Sequence, residues 1–284
     1  MSTPDGLPTL RTVISGLGLT ARKGLGQNFI LDLNLTRRIA RVAEPLEGVT
    51  VVEVGPGPGG LTRALLLEGA HHVIAIERDS RCLEALHEIA DRYPGALTIL
   101  PEDALKVDYG SLGAGPIRIV ANLPYNIATP LLINWLKATP WPPWYDRMVL
   151  MFQREVAERI VAGPGSKTYG RLSVFSQWRT KPRLRLTLPP AAFTPPPKVD
   201  SALVEFTPLP EPDDTCRPNS LEAVTGAAFG QRRKMLKSSL RQITDDPQAL
   251  LKAVGISPDL RPEQISVEEF VGLAKEWEKL APQT

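Results

Sequence analysis

Residues 50–62 read TVVEVGPGPGGLT, and the architecture of the chain follows from this stretch. The first five residues, Thr50 to Val54, have the β-branched character of a buried strand, and a Gly-Pro-Gly-Pro-Gly-Gly turn follows them. The next residues, Leu61 to Leu67, have helical character. Glycines between a strand and a helix let the backbone turn tightly and approach a ligand closely. The stretch therefore predicts a strand–turn–helix corner that binds a small molecule.

Short apolar runs and helical stretches alternate along the chain after this corner. The further runs predicted to be strands lie at residues 72–77, 96–100, 117–121 and 147–152. Short β-branched runs separated by helices of about 10–15 residues are typical of a parallel sheet that is covered by helices. We therefore predict an α/β fold with a mostly parallel sheet.

The rest of the chain predicts two more strands and then helices alone. The two strands are placed at residues 172–178 and 201–206, and a proline-rich linker follows at 208–218. Helices are predicted near residues 221–229, 232–243, 247–254 and 267–280. The predicted domains are a flexible N-terminal segment (1–22), an α/β domain (23–208) and a small helical C-terminal domain (209–284).

Composition excludes several classes of protein. The chain has 43% hydrophobic and 23% charged residues, which is typical of a globular protein and not of a disordered or collagen-like one. Its two cysteines, Cys82 and Cys216, are too few for a disulfide framework and lack metal-cluster spacing. No run reaches the roughly 18 apolar residues of a membrane span, and residues 1–10 lack the pattern of a secretion signal. We expect a cytoplasmic protein with no membrane partner and no metal.

The glycine turn by itself is compatible with two classes of ligand. The glycines of residues 55–60 fit the dinucleotide fingerprint, and an acid, Glu77, ends the next predicted strand. At that position a carboxylate accepts hydrogen bonds from both ribose hydroxyls of a nucleotide. The turn and the acid leave NAD and S-adenosylmethionine open.

Two further details favour S-adenosylmethionine. Pro56 and Pro58 have no N–H group, so the turn offers fewer donors to a pyrophosphate. S-adenosylmethionine carries no phosphate. Asp103, just past the third strand, is placed to accept a hydrogen bond from an adenine amine.

The tetrapeptide Asn122-Leu123-Pro124-Tyr125 directly follows the fourth predicted strand. Methylation of the exocyclic amine of adenine is difficult because the ring delocalises the nitrogen lone pair. A site for it needs two acceptors for the N–H groups, and the Asn122 side-chain oxygen and the Leu123 carbonyl are suited to this. Tyr125 offers a face on which the base can stack. An Asn-x-Pro turn also occurs without such a function, so the preceding glycine turn gives this motif its weight.

The tetrapeptide resembles the motif of amino-methyltransferases that act on adenine, and its leucine is typical of the rRNA adenine dimethyltransferases. Other motifs of that family follow the same order, namely GQNF at 26–29, EVGPGPGGLT at 53–62, QREVAERI at 153–160 and FTPPPKVDSALVEF at 193–206. Residues 229–240, FGQRRKMLKSSL, are similar to the C-terminal signature of the small-subunit branch, the KsgA-type enzymes. The resemblance runs from about residue 23 to residue 240.

This resemblance implies a fold and an activity. The fold is a class I S-adenosylmethionine-dependent methyltransferase domain, which is Rossmann-like, followed by a small helical domain. The activity is dimethylation of two adjacent adenosines in the 3′-terminal hairpin loop of small-subunit rRNA, with S-adenosylmethionine as methyl donor and no metal. The implied partner is the rRNA of the immature 30S particle, the implied process is ribosome biogenesis, and we expect a monomer.

The resemblance also implies individual site residues. The implied cofactor site consists of Asn28, Ile30, Gly55, Glu77, Asp103 and Asn122. The implied catalytic residues are Asn122, Leu123, Tyr125 and Phe193, with Phe193 closing on the target base opposite Tyr125. Ile30 stands where the family more usually has leucine, and this exchange preserves the volume.

Basic residues cluster in two parts of a chain whose net charge is only +2. Residues 147–185 contain nine Lys/Arg against two acids, and residues 229–241 contain five with no acid. Phosphate contacts supply most of the affinity for nucleic acids. The candidate RNA contacts are Arg232, Arg233, Lys234 and Lys237 on one predicted helix, and a second set, Arg179, Lys181, Arg183 and Arg185, at strand spacing.

Two other functions are compatible with parts of this pattern. Macrolide-resistance methyltransferases of large-subunit rRNA share the Asn-x-Pro-Tyr motif. The segment 229–240 and the sequence EVGPGPGGLT at 53–62 argue against this class. A ribosome assembly or transcription factor that binds RNA without methylating it is the alternative from another class. The intact cofactor and catalytic positions argue against a purely non-catalytic role.

Overall fold

The structure of the protein is a computed structural model, and it describes residues 3–19, 26–113, 115–210 and 215–280. The predicted start of the α/β domain, at residue 23, lies outside these residues. Within them, no helix combines the length and the apolar character that crossing a membrane requires.

The described residues contain a seven-stranded sheet. The strands are β1 (Thr50–Val54), β2 (His72–Ile76), β3 (Leu97–Leu100), β4 (Ile117–Ala121), β5 (Arg147–Gln153), β6 (Thr180–Leu188) and β7 (Ser201–Pro208). Their order across the sheet is β3-β2-β1-β4-β5-β7-β6. The strands β1 to β5 pair in parallel, and β7 pairs antiparallel to β5. The predicted α/β class with a mostly parallel sheet is confirmed.

The burial of the central strands explains their sequences. All five residues of β4 are buried, as are the last four of β1 and of β2. A parallel strand with helices on both faces has no solvent side, so its sequence is continuously apolar rather than alternating. The shortness and β-branched content of runs such as IRIVA and VIAI favour strands over buried helix segments.

Helices connect the strands and form the C-terminal part of the chain. The helices are α1 (Leu10–Gly16), α2 (Leu33–Arg41), α3 (Gly60–Leu67), α4 (Leu83–Arg92), α5 (Tyr125–Leu136), α6 (Arg154–Val161), α7 (Arg171–Arg179), α8 (Pro218–Gly230), α9 (Leu236–Ser239), α10 (Pro247–Ala253) and α11 (Val267–Leu280). The described part of residues 209–280 contains α8 to α11, so the predicted helical character of this region is confirmed.

The chain divides into two compact units. The first comprises Met1–Asn134, Pro143–Ala157 and Arg183–Thr207, and the second comprises Trp135–Pro142, Glu158–Pro182 and Pro208–Thr284. The last segment of the second unit begins at Pro208, next to the predicted boundary at 208/209. The other two segments of this unit, Trp135–Pro142 and Glu158–Pro182, lie within the predicted α/β domain. The predicted domain limits remain a prediction about which parts fold on their own.

One hydrophobic cluster of the first unit packs against the sheet. Buried side chains of α2, α3 and α4 pack against β1, β2 and β4 in this core. Arg63 on α3 and Asp5 are also buried in this unit and form an ion pair. The N-terminal segment 1–22 is predicted to be flexible, but its described part, residues 3–19, is held by this ion pair and contains α1.

In the second unit, residues 171–179 form a helix rather than the predicted strand. Helix α7 buries residues on nearly all of its sides, so its apolar residues lack the periodicity of an amphipathic helix. The hydroxyl of Ser173, the third residue of the helix, accepts a hydrogen bond from the Gly170 N–H at 3.0 Å. This bond is one half of a capping box. Val, Phe and Trp in this stretch favour strands locally, and burial among α8 and α11 overrides that preference.

Trp141, the first residue of the aromatic and proline-rich segment WPPWY at 141–145, has a packing role in the second unit. Trp141 is buried, and its indole N–H donates to the Leu209 carbonyl at 2.8 Å. The guanidinium of Arg179 lies between the rings of Trp141 and Trp178, 4.8 and 4.1 Å from their centroids. Arg179 is therefore a buried part of α7 and not a member of the exposed basic set predicted at strand spacing. Lys181, Arg183 and Arg185 do lie on β6 and are exposed.

Candidate active site

A cleft opens in the first unit at the carboxyl ends of the parallel strands. Its empty volume, including its open mouth, is about 1120 Å³, and it is lined by the glycine turn, by residues 26–30 and by the ends of β1, β2 and β4. The lining residues that the sequence singled out are Asn28, Ile30, Gly55, Glu77, Asp103, Asn122, Leu123 and Tyr125. Ligands of open α/β sheets bind at this edge of the sheet. The structure therefore brings these eight residues together at one cleft.

Glu77 fastens the glycine turn to the end of β2. One of its carboxylate oxygens accepts a hydrogen bond from the Gly57 N–H at 2.9 Å, and the other accepts one from the Asp79 N–H at 2.8 Å. Burial raises the pKa of the Glu77 carboxyl, and these backbone donors act against that rise. Each oxygen has a second lone pair, so the buried carboxylate is oriented and can still accept from a ligand hydroxyl.

Asp103 occupies a more open position beside Glu77 in the cleft lining. Its Oδ1 accepts from the Leu105 N–H at 3.1 Å, and its Oδ2 lies 3.6 Å from the Arg78 guanidinium. Arg78 also lines the cleft and was not singled out from the sequence. The position next to Glu77 in the chain is the only sequence signal that points to it.

Asn122 lies at the end of β4, where its amide group is held in one orientation. The side-chain nitrogen donates a hydrogen bond to the Asn28 carbonyl at 3.1 Å. Because this bond engages the nitrogen, it fixes which way the amide is turned and leaves Oδ1 as the acceptor on the opposite arm. Asn28 thus contributes through its backbone as well as by lining the cleft.

Tyr125 lines the same cleft, and Phe193 is placed elsewhere. The Tyr125 hydroxyl is 2.5 Å from the Ser201 Oγ, and this contact anchors the far end of the ring. Burial raises the pKa of the Tyr125 phenol, so it stays neutral at physiological pH. Phe193 is 3% exposed, packs in the core of the first unit and is not among the residues that line the cleft. Its role opposite Tyr125 stays a prediction.

The residue after Phe193 is nevertheless hydrogen-bonded to a residue that lines the cleft. The residue that follows it, Thr194, exchanges two backbone hydrogen bonds with Phe29, at 2.9 and 2.8 Å. Phe29 lines the cleft. This bridge links the FTPPPKVD and GQNF motifs, which lie far apart in the sequence.

The charge of the cleft decides between the two ligand classes that the sequence left open. Four carboxyl groups line it, those of Glu53, Glu77, Glu102 and Asp103, against one guanidinium, that of Arg78, in the described part of the chain. Burial raises the pKa of Glu53 to about 8, so this carboxyl is largely neutral at pH 7 and the negative charge comes from the other three. A pyrophosphate is disfavoured in such surroundings, and the two prolines of the turn offer it no N–H groups. The sulfonium of S-adenosylmethionine is a cation and fits them.

Comparisons with known proteins identify the family of this chain. The sequence profile of the family described as Ribosomal RNA adenine dimethylase matches residues 18–279. The chain belongs to this family. It is also 60% identical over 281 residues to the Ribosomal RNA small subunit methyltransferase A of Xanthobacter autotrophicus, covering 99% of this chain and 97% of that protein. The protein of the same name from Rhizobium meliloti is 60% identical over 274 residues, covering 96% of this chain and 99% of the relative.

Two solved structures support the fold. The dimethyladenosine transferase of Plasmodium falciparum has a TM-score of 0.72 at 24% identity and covers 87% of this chain and 96% of its own. The 23S rRNA methyltransferase ErmE has a TM-score of 0.65 at 24% identity and covers 88% of this chain and 100% of its own. The predicted class I methyltransferase fold is confirmed. As a member of the dimethylase family, the chain is an S-adenosylmethionine-dependent rRNA methyltransferase.

The four predicted RNA contacts of the second unit do not lie on one helix. Helix α8 ends at Gly230, a turn covers residues 231–235, and α9 begins only at Leu236. Gln231 leaves the helical conformation with φ −124° and ψ 50°, and the Lys234 N–H donates to the Gln231 carbonyl at 2.8 Å, so a turn interrupts the helix that the basic residues suggested. Arg232, Arg233 and Lys234 therefore lie on the turn, and Lys237 lies on α9.

These four residues also differ in their partners. Arg232 donates to the Ser166 carbonyl at 3.2 Å and lies 3.9 Å from the Glu263 carboxylate, while the Lys237 ammonium is 2.6 Å from Asp259. Arg233 and Lys234 are exposed, and no ion pair joins either one to another described residue. The turn thus presents two uncompensated positive charges to a polyanion.

Glu53, at the base of the glycine turn, makes the stability of the first unit sensitive to pH. Its side chain is 1% exposed and accepts a hydrogen bond from the Thr62 hydroxyl at 2.6 Å. Burial raises the pKa of the Glu53 carboxyl to about 8, and the nearby Glu77 charge acts in the same direction. Because the folded chain holds this proton more tightly than the unfolded chain, the resulting stability is complete below pH 4.5 and is lost as the pH rises to about 8.

Replacing Glu53 with glutamine should remove most of this loss. We expect the free energy of unfolding of Glu53→Gln to fall less between pH 5 and pH 8 than that of the parent, by roughly 3 kcal/mol. Thermal unfolding of the cofactor-free protein across this range measures the difference. The control Thr62→Val keeps the carboxyl and removes its hydrogen bond, so it should keep the pH dependence. Parallel curves for Glu53→Gln and the parent would contradict this account.

Proposed function

We propose that this chain dimethylates the exocyclic amines of two adjacent adenosines in the 3′-terminal hairpin loop of small-subunit rRNA. The names of the relatives that are 60% identical over nearly the whole chain support the small subunit as the source of the substrate. The segment FGQRRKMLKSSL at 229–240 supports the same branch of the family. The Asn122 amide, oriented by Asn28 at the edge of an acidic cleft, carries the chemical part of the proposal.

Asn122 and Leu123 prepare the amine for reaction. The Asn122 Oδ1 and the Leu123 carbonyl accept the two N–H groups of the amine, which turns the nitrogen lone pair out of conjugation with the ring. The lone pair forms a bond to the methyl carbon of the sulfonium, while the carbon–sulfur bond breaks and leaves its electron pair on sulfur as the neutral thioether. The nitrogen then loses a proton to water. A neutral acceptor is sufficient, because the amine becomes acidic only while it is being methylated. Fixed acceptors that need no reorganisation lower the barrier most effectively.

The acids of the cleft hold the methyl donor. When bound, S-adenosylmethionine supplies an electrophilic methyl group on a sulfonium. Glu77 accepts from the ribose hydroxyls, Asp103 accepts from the adenine amine, and Ile30 provides an apolar contact. Asn28 and the backbone of Gly55 complete this set of residues. The negative charge of the cleft favours a cationic ligand over its neutral thioether product, which helps the product to leave.

Tyr125 positions the target base. Its ring is fixed by the contact of its hydroxyl with Ser201, so it offers a rigid stacking surface at the mouth of the cleft. An adenine must leave its stack to reach this surface, and a hairpin loop allows this at a lower cost than a duplex. We propose that a monomer acts on the rRNA of the immature 30S particle, where this loop is accessible.

A methyl-transfer assay with labelled S-adenosylmethionine tests the proposal. Unmethylated small subunits, naked large-subunit rRNA and duplex DNA serve as separate substrates. Label recovered as dimethyladenosine from small-subunit rRNA alone is the expected result. Label in large-subunit rRNA would place the chain with the resistance enzymes. Binding of small subunits without any label would favour an assembly factor that does not methylate.

The turn at residues 231–235 is expected to contribute to RNA affinity through its two uncompensated charges. Each of Arg233→Ala and Lys234→Ala should reduce the slope of log K against log salt by about 0.7, the value for one phosphate contact on a single strand. Lys252→Ala removes the same charge from an exposed site on α10 in the same unit and is the matched control. Binding to the isolated hairpin is measured by anisotropy at several salt concentrations. An equal change in all three variants would show that only net charge matters.

A further inference from the structure

The N-terminal segment Thr3–Leu10 is fastened to α3 by a buried ion pair. Asp5 and Arg63 are 2% and 3% exposed. The guanidinium binds the carboxylate through two hydrogen bonds, from Nε to Oδ2 and from Nη2 to Oδ1, each 2.7 Å long. Paired bonds of this kind are the strong form of the arginine–carboxylate interaction. We use the term clasp for Arg63 together with the hydrogen bonds that it makes to this segment.

The remaining donors of the clasp bind other points of the same segment. Arg63 Nη1 donates to the Pro8 carbonyl at 2.7 Å, and Nη2 also donates to the Thr3 hydroxyl at 3.1 Å. Arg92 on α4 donates to the Asp5 carbonyl at 2.7 Å. A buried ion pair contributes little net stability, but it defines position when its hydrogen bonds are satisfied. The clasp thus fixes the segment at residues 3, 5 and 8.

The fixed segment ends on a residue of the cofactor cleft. Leu10, two residues after Pro8, is buried and lines the cleft together with Ile30 and Leu61. Its side chain rests on the first residue of α3, where a Cβ added to Gly60 would be 2.9 Å from the Leu10 Cδ2. Arg63 lies one turn further along the same helix. Helix α3 therefore carries Arg63 of the clasp and also contacts Leu10 at its first residue.

We propose that the Asp5–Arg63 clasp is a positioning device that holds Leu10 as an apolar wall of the cleft for S-adenosylmethionine. The proposal rests on the assignment of this cleft to S-adenosylmethionine. Leu10 supplies the contact with the ligand, and Asp5 and Arg63 act only through it. Loss of the clasp lets the segment leave α3, so the cleft loses one wall while the acids and Asn122 stay in place.

The dissociation constant of S-adenosylmethionine, measured by calorimetry on the full chain, tests the proposal without an RNA substrate. Asp5→Asn keeps the shape of the side chain but replaces an acceptor oxygen with a donor facing Arg63. We expect it to raise the dissociation constant about tenfold. Leu10→Ala leaves the clasp intact and should weaken binding to a similar degree. The double variant should bind no worse than Leu10→Ala, because the clasp acts through Leu10.

A second ion pair of the same unit supplies the control. Glu68 binds Arg37 and Arg41 on α2 and does not line the cleft. Glu68→Gln should change the melting temperature and leave the dissociation constant of S-adenosylmethionine within twofold of the parent. An unchanged dissociation constant in Asp5→Asn or in Leu10→Ala, or additive losses in the double variant, would overturn the proposal. A parent chain that does not bind S-adenosylmethionine would overturn the cofactor assignment itself and the clasp with it.

Discussion

Replacing Asn122 with alanine should lower the rate of methyl transfer by about 10²- to 10³-fold while RNA binding stays unchanged. The alanine removes one of two acceptors for the adenine N–H groups, and the loss of one fixed transition-state hydrogen bond has this magnitude. Single-turnover methyl transfer with saturating S-adenosylmethionine and small subunits measures the rate. Filter binding of the same subunits measures affinity.

Asn126→Ala is the matched control for this prediction. It removes the same amide group from another residue that lines the same cleft, four residues along the chain. Because Asn126 is exposed and lies beyond the tetrapeptide, its loss should change the rate less than threefold. If Asn122→Ala retained full activity, the proposed pair of acceptors would be wrong. If both variants lost activity equally, the cleft would need its general polarity and not a directed acceptor.

A further variant separates the two functions of the Asn122 amide. Its nitrogen is held by the Asn28 carbonyl at 3.1 Å, and its oxygen faces the substrate in the proposed mechanism. An aspartate at this position would place a carboxylate oxygen against that carbonyl and lose the orienting bond. The orienting partner is a backbone atom 94 residues away, so it cannot be removed by a side-chain substitution.

The parts of the fold that the sequence predicts well are those in which local signals agree. The valine-rich β1, the glycine turn and the start of α3 are adjacent in the chain, and each residue type favours its observed conformation. The ends of β2 and β4 carry Glu77 and Asn122, and parallel pairing brings both ends to the same edge of the sheet. The position of the cleft at this edge is therefore predictable from the strand ends, but they give no indication of residues 26–30 and Leu10, which also line it.

The parts of the structure that differ from the prediction are determined mainly by contacts between residues far apart in the sequence. Helix α7 contains residues that favour strands, and burial in the second unit determines its conformation. The buried Asp5 finds Arg63 at a separation of 58 residues, so no local pattern indicates that the N-terminal segment is ordered. The prediction that the basic residues near 231–235 lie on one helix was wrong for a different reason. Clustered charge indicates an exposed surface, but it does not distinguish a helix from a turn.

Replacing Gly59 with alanine should destabilise the first unit by roughly 3 kcal/mol. Gly59 precedes α3 with φ +86°, a left-handed conformation that costs an L-residue about 1–2 kcal/mol. An added Cβ would also lie 2.2 Å from the Ile89 Cδ1 and 3.3 Å from the Leu86 Cδ2, both of which are buried on α4. Overpacking of a core typically adds about 1–3 kcal/mol.

Gly69→Ala separates the strain from the overlap. Gly69 has φ +91°, nearly the same as Gly59, but an added Cβ there meets only the Glu47 side chain, at 3.6 Å. Gly69→Ala should therefore show the conformational cost alone. Urea unfolding of the two variants and the parent gives the midpoints and slopes from which the free energies are compared. Equal losses would mean that Ile89 moves aside without cost, and the contact between the glycine turn and α4 would then not constrain the position of the turn. A larger loss at Gly59 would mean that α4 fixes the corner on which the cofactor cleft is built.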